Sequence, residues 1–327
     1  MTTVHSAALG VLCAVFAGCS STGVVTVRPR ALAPAEGRRA AAGADTVRVM
    51  TFNLRRPMII DLHNHWAFRK KHVVKMIRSQ DPDVLGTQEC VADQAEYLGA
   101  ELPGYAFVGV GRGDGRRRGE MCGVFYKTAR FEKLDEGHFW LSTTPERPGS
   151  KSWGAWMARM TTWIKLRPRR GDRTAFYVFN THFAISGEST RTAEAQLLRR
   201  QIEQIAGNAP LIVTGDFNTG EGSDPYRALV NGLIDGVQFA FSPLVDVYRR
   251  MHPVRRGDEG THNSFRGRRK GRRIDWIITS ASFRALDATI VRTDGKLPSD
   301  HDPVVALLKL EPAGTTAARR GLMPPPS

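Results

Sequence analysis

"PLIVTGDFNTGEGSDPY", Pro210 to Tyr226, decides how this chain is read. An apolar, β-branched run leads straight into Gly-Asp-Phe-Asn, and a turn-rich stretch follows. A buried strand gains nothing for its own stability from ending on an acid and an amide, because both must be desolvated or re-paired. A strand-end Asp taken singly is ordinarily a turn residue. The purpose of Asp216 and Asn218 therefore has to be sought in the other strands.

The same ending recurs along the chain. "VRVMTFNLR" (Val47–Arg55) alternates and closes on Asn53, and "PDVLGTQE" (Pro82–Glu89) closes on Gln88-Glu89 after the helix-like "RKKHVVKMIRSQ". "GEMCGVFYK" opens on Glu120, "TAFYVFNTHF" closes on Asn180-Thr181-His182, and "RRIDWIITS" opens on Asp275. "LPSDHDPVVALLKL" sets Asp300-His301 just ahead of the last strand. Strand ends on one edge of a sheet converge in space, so this recurrence predicts a site with Asp216 and Asn218 in it, and Gly215 lets the backbone leave the strand. Arg191–Gly207 has the spacing and glycine stop of an amphipathic helix, and Asp224 is the expected N-cap of a helix with Pro225 at its first position.

The order TFN, QE, GE, NTH, GDFN, RID, SDH, spread over Thr46 to Leu310, resembles the endonuclease/exonuclease/phosphatase superfamily with its deoxyribonuclease I-like fold. Phe139–Trp163 is similar to a stretch of the bacterial, deadenylase-like branch. The resemblance implies an α/β fold, a four-layered αββα sandwich of two mixed, mainly antiparallel sheets with helices outside. It also implies a phosphoric ester hydrolase. Asp216 would orient or deprotonate the attacking water, and Asn218 would hydrogen-bond the phosphate. His301 and His182 would donate to phosphoryl oxygens, held by Asp275 and Glu120 respectively as ion pairs that raise the imidazole pKa. One departure stands out: Arg55 occupies a position where the repair enzymes of the family carry an acid.

In-line hydrolysis of a phosphodiester needs a placed nucleophile, neutralisation of growing charge and help for the leaving oxygen. A hard divalent cation, Mg²⁺ or in its place Mn²⁺, meets the second need and prefers carboxylates and other oxygens. Glu89 is the first candidate ligand, with Asn53 beside it and Asp300 completing the set. Clustered Cys/His spacing for zinc is lacking, and His63, His65 and His72 read as solvated loop residues. Arg159, Arg118 and His262 are candidate contacts to substrate phosphate.

Around this domain, expected over residues 45–311, the composition shifts. Ser6–Gly18 is an apolar run shorter than the about 20 residues of a membrane span, and it leads into "FAGCSS". That arrangement resembles a lipoprotein signal with Cys19 as the lipidated residue, which implies export and membrane attachment only through that anchor. Residues 20–44 read as a tether and 312–327 as a disordered tail. Cys90 and Cys122 read as small buried hydrophobes, with a single bridge left open.

With 41% hydrophobic residues the chain is globular, and its net charge of +15 favours polyanions as partners. Basic clusters at Gly111–Glu120 and Arg266–Arg273 abut Glu120 and Asp275, while a third spans Arg167–Arg173. A monomeric nuclease or phosphodiesterase acting on nucleic-acid backbone is the leading reading. A hydrolase of small phosphates or lipid headgroups, such as an inositol phosphate or sphingomyelin, is the alternative. A polyanion-binding module without catalysis is the third, and the intact Glu89, Asp216 and His301 speak against it.

Overall fold

A computed structural model describes Gly43 and residues 45–234, 237–238 and 243–311. The expected signal, Cys19, the tail and all of the tether but Gly43 lie outside the described residues. The strands are β1 (Thr46–Asn53), β2 (Val84–Cys90), β3 (Tyr105–Val108), β4 (Met121–Lys127), β5 (Phe131–Trp140), β6 (Met160–Pro168), β7 (Phe176–His182) and β8 (Leu211–Asp216). They continue with β9 (Leu233–Ile234), β10 (Val237–Gln238), β11 (Val245–Asp246), β12 (Asp275–Thr279), β13 (Phe283–Ile290) and β14 (Val304–Leu310). Helices are α1 (Trp66–Gln80), α2 (Ala92–Glu101), α3 (Glu188–Ala206), α4 (Asp224–Tyr226) and α5 (Val247–Met251).

Apart from the short β9–β10 pair, the strands form two six-stranded sheets, ordered β13-β14-β1-β2-β4-β3 and β11-β12-β8-β7-β6-β5. Val49, Val84, Val124, Ile164, Val178, Ile212 and Ile277 point into the layer between them. The alternate residues Met50, Phe52 and Leu85 face outward onto Val73 and Ile77 of α1 and Leu98 of α2. On the far side, Phe179 and Val213 meet Leu198 and Ile202 of α3. This is the expected four-layered sandwich, produced by strands apolar on both faces.

Topology explains why the polar strand ends meet. β1 runs parallel to β2 and β7 parallel to β8, and such pairs need a helical crossover, which α1 and α3 supply. All four strands therefore finish at the same edge, with Asn53 beside Gln88 and His182 beside Asp216. β12 runs antiparallel to β8 and so begins there, setting Asp275 opposite Asp216.

Just beneath that edge the sheets approach closely. A Cβ on Gly86 would lie 2.2 Å from Thr214 Oγ1, so only glycine fits. Gln88 donates to Asn180 Oδ1 (2.6 Å), which also accepts from Thr214 (3.0 Å), a buried polar seam holding the layers in register. Gly215 has a related role, which corrects the reading from sequence. Its backbone is ordinary, but an added Cβ would strike Thr181 O at 2.7 Å; the chain leaves the strand at Asn218, in the left-handed region at φ 51°. Ser223, not Asp224, caps the short helix α4. The α3 helix starts three residues earlier than expected and stops at Gly207 as expected. Cys90 and Cys122 are both buried and free.

Candidate active site

Asp216, Asp275 and His301 form the floor of the site, each almost fully buried. His301 shares a hydrogen bond of 2.9 Å between Nδ1 and Asp275 Oδ2, and its Nε2 faces Asp216 Oδ2 at 3.7 Å. Thr261 Oγ1 accepts from the backbone N–H groups of Ile274 (3.0 Å) and Asp275 (3.2 Å), which fixes the start of β12. Burial works against a charged imidazole, but Asp275 and Asp216 outweigh it and raise the His301 pKa well above the ordinary range. Burial, with Asp275 adding, pushes the Asp216 carboxyl up to about 6 despite His301. Asn53 Nδ2 (2.9 Å) and the Asn218 backbone N–H (3.0 Å) donate to its two oxygens and aim it.

His182 departs from its expected role. Glu120 does not hold it, because both oxygens of Glu120 are taken by Arg112 at 2.7 and 2.8 Å, with Arg56 at 3.4 Å. The side-chain nitrogen of Asn218 donates to Phe183 O (2.9 Å), which orients the amide, and the same nitrogen lies 3.0 Å from His182 Nε2. Nε2 therefore accepts, and the neutral ring carries its proton on Nδ1. Burial drives the His182 pKa well below the ordinary value, and Arg159 and Arg112 push the same way. His182 is thus a neutral packing partner for Asn218, not a cationic donor. Asn218, with its amide nitrogen spent inside the protein, positions Asp216 and His182 instead of reaching outward.

Beside His182 lies a recess lined by Arg112, Arg159, Glu120, Glu89, Cys122 and Met160 among others, its enclosed space no more than a water molecule fills. Arg159 is 4% exposed, and its Nη1 has no protein partner. A buried guanidinium with a free N–H is an unmet demand for an anion.

Glu89, Asn53 and Asp300 surround Arg55, whose guanidinium is 3.7 Å from Asp300 and pairs with Asp61 at 2.9 Å. Glu89 adopts a left-handed backbone at φ 55°, strained for a non-glycine residue, and accepts from Asn53 Nδ2 (3.2 Å) and the Arg56 N–H (3.1 Å). Asp300 sits with His262 and His301, their ligand atoms within 4.8 Å of one another. Burial raises the Asp300 carboxyl, but His262, His301 and Arg55 overcome this and hold it below the usual range. Two carboxylates and an amide oxygen are hard donors of the kind a divalent cation such as Mg²⁺ prefers. Here the amide oxygen of Asn53 accepts from the Arg55 N–H (2.9 Å) and the Arg55 guanidinium lies among them, so a bound cation would have to displace Arg55. His262, half exposed, stands at the rim of this end.

Residues 50–301 match the model of the endonuclease/exonuclease/phosphatase family. The chain belongs to that family. A family member from Bacteroides vulgatus is 33% identical, with a TM-score of 0.72, covering 81% of this chain and 99% of its own. A mannosyl-6-phosphatase from Bacteroides thetaiotaomicron is 30% identical (TM-score 0.71, 80% and 99% covered). Protein angel of Drosophila melanogaster is 25% identical over 228 residues, 68% of this chain and 59% of that protein.

Within the family frame, sequence reading placed Arg118 wrongly. Its guanidinium folds back onto Gly113 O (2.6 Å) on the exposed side of the turn. The arginine delivered to the pocket from that cluster is Arg112, six residues earlier. Its signal was the Gly-Arg-Gly setting, which lets the 111–115 turn fold back on Arg118 and Glu120. Arg273, last of the third cluster, is also no substrate contact: it is buried between Glu221 and Asp246. The Arg167–Arg173 cluster begins at the far end of β6, where Arg167 pairs with Glu132 at 2.8 Å. His63 and His72 are exposed, and His65 caps α1. The brace under the metal candidates was not foreseen either: buried Arg69 donates to the carbonyls of Leu54, Arg55 and Pro298.

Glu194 of α3 braces the loop after His182, accepting from the Ala184 N–H at 2.8 Å while its Oε1 has no partner. Burial raises its pKa from 4.5 to about 7. A carboxyl raised on folding stabilises the native state while protonated, fully below pH 4.5, and that contribution is lost as pH climbs through 7. Glu194→Gln should therefore gain about 3 kcal/mol over the native protein above pH 7 and nothing at pH 4. Urea unfolding at both pH values measures this; an equal gain at both would refute it.

Proposed function

We propose that this protein is a divalent-metal-dependent phosphoesterase that hydrolyses nucleic-acid backbone by in-line attack of water. The observation that carries the reading is the buried His301–Asp275 pair facing Asp216, with the unpartnered Nη1 of buried Arg159 in the recess that His182 also lines. Asp216 holds the attacking water and accepts its proton as the new P–O bond forms and the ester P–O bond breaks. Cationic His301 donates to a phosphoryl oxygen, while Arg159 takes another. A divalent cation held by Glu89, Asn53 and Asp300 would neutralise charge on the phosphoryl and leaving oxygens. Exposed Arg266, Arg268, Arg269, Lys270 and Arg272 lie beside the start of β12. They suit a track for successive phosphates without base readout.

A second reading, hydrolysis of a small phosphate, is favoured by likeness to the mannosyl-6-phosphatase. Export, with attachment through a lipid on Cys19, belongs to the same proposal and rests on the apolar Ser6–Gly18 run and the Ala17-Gly18-Cys19 sequence.

The test is hydrolysis of plasmid DNA, single-stranded RNA, an inositol polyphosphate, sphingomyelin and mannose 6-phosphate, with Mg²⁺ or EDTA and at two salt concentrations. Nucleic-acid cleavage that EDTA abolishes and salt weakens is expected. Turnover of only a small ester moves the assignment to the second reading, and undiminished activity in EDTA removes the metal.

A further inference from the structure

We infer that Trp156, with Ile185 beside it, is the platform on which the alcohol side of the ester lies, and that this alcohol carries a ring with an apolar face. The inference rests on the phosphoesterase reading above. β5, β6 and the loop between them hold four tryptophans with different fates. Trp140 is buried, and Trp153 and Trp163 pack against the core around α3. Trp156 alone of these is turned out, 70% exposed, and Ile185 is 52% exposed.

The exposure is built in, because the loop is pinned at several points. Thr190 donates to Trp153 O (2.5 Å), the Trp156 N–H donates to Ser186 Oγ (3.4 Å), and Lys151 donates to Trp156 O (3.3 Å). Those pins also set the location. Ser186 follows His182 by four residues, on the segment whose carbonyls at Ala184 and Ser186 are held by Arg191. Met157, the next residue, receives an Arg112 N–H on its sulfur at 3.2 Å, and Arg159, two further on, lines the cavity. An exposed indole thus stands on the loop that runs through Met157, which touches Arg112, to Arg159, and exposed Ile185 lies on the segment that follows His182.

A phosphoryl group seated on the free Nη1 of Arg159 brings the rest of its molecule toward that loop. A flat ring there covers apolar surface that would otherwise face water, and indole faces stack on bases or on the C–H face of a sugar. Linear, flexible alcohols gain little from such a surface.

The experiment compares ringed and ring-free esters of equal charge on the full-length protein. Adenosine 5′-monophosphate and mannose 6-phosphate are set against glycerol 3-phosphate, and a thymidine dinucleotide against glycerophosphoglycerol. The native protein is expected to prefer ringed esters in kcat/KM. Trp156→Ala should shrink that preference about tenfold, mainly through KM, and Trp156→Phe should restore most of it for the nucleotides. Ile185→Ser should shrink it less. Quenching of tryptophan fluorescence by adenosine monophosphate in EDTA, weakened in Trp156→Phe, reads binding apart from turnover. The nucleotide and sugar arms show which ring is preferred. Equal losses on ringed and ring-free esters, or no ring preference in the native protein, would overturn the platform. Hydrolysis of no ester with any divalent cation would overturn the phosphoesterase reading, and the platform with it.

Discussion

Asp216→Asn is expected to lower turnover by about 10²-fold or more while the protein stays folded. The substitution keeps the shape of the side chain and its place opposite Asp275. It removes the one function an amide cannot perform, accepting a proton. The Asp216 carboxyl is set for that function: Asn53 and the Asn218 backbone supply its hydrogen bonds, and His301 sits 3.7 Å away to favour the charged form. Fold is guarded by the surrounding core, since Phe217 stacks on Trp276 and both are fully buried. Circular dichroism and thermal unfolding would confirm it, with kcat measured on whichever substrate the assay above identifies. Turnover close to native in this variant would remove Asp216 from the mechanism.

His301→Gln should cost a similar factor, for a different reason. The ring lies between two buried carboxylates and is cationic because of them. In the proposed mechanism that cation does two things: it stabilises negative charge on the phosphoryl group and it screens Asp216 from Asp275. Once the ring is gone, the two carboxylates face each other uncompensated, and one of them takes up a proton. Loss of charge stabilisation alone is worth about 10²-fold or more. Asp275→Asn should reproduce part of the loss, because the imidazole then loses its strongest partner at 2.9 Å and the hydrogen bond that fixes its tautomer. Native rates in both variants would mean that the pair is structural.

How much of this was legible beforehand can be judged residue by residue. Asp216, Asp275, His301, Glu89, Asn53 and Asp300 could be located from sequence because each ends or begins a recognisable apolar strand. Parallel pairs with helical crossovers leave little choice about which strand ends share an edge. The layering was legible for the same reason: strands apolar on both faces demand cover on both.

Pairing between side chains was legible only in part: Asp275 holds His301 as expected, but other partners were missed. Glu120 was expected beside His182, yet it is bound to Arg112, because a turn six residues long can aim an arginine into the pocket or away from it. Arg118 and Arg112 share one cluster and point opposite ways. Arg69 and Arg273 stand in basic runs and are both buried, each holding backbone or carboxylates in place. The protonation of His182 turned on the Phe183 carbonyl, which orients the Asn218 amide. Strand ends are placed by hydrophobic periodicity, which is local and written along the chain. The partner of a polar side chain depends on the last two or three ångströms between distant segments, and only the folded structure brings those distances into being.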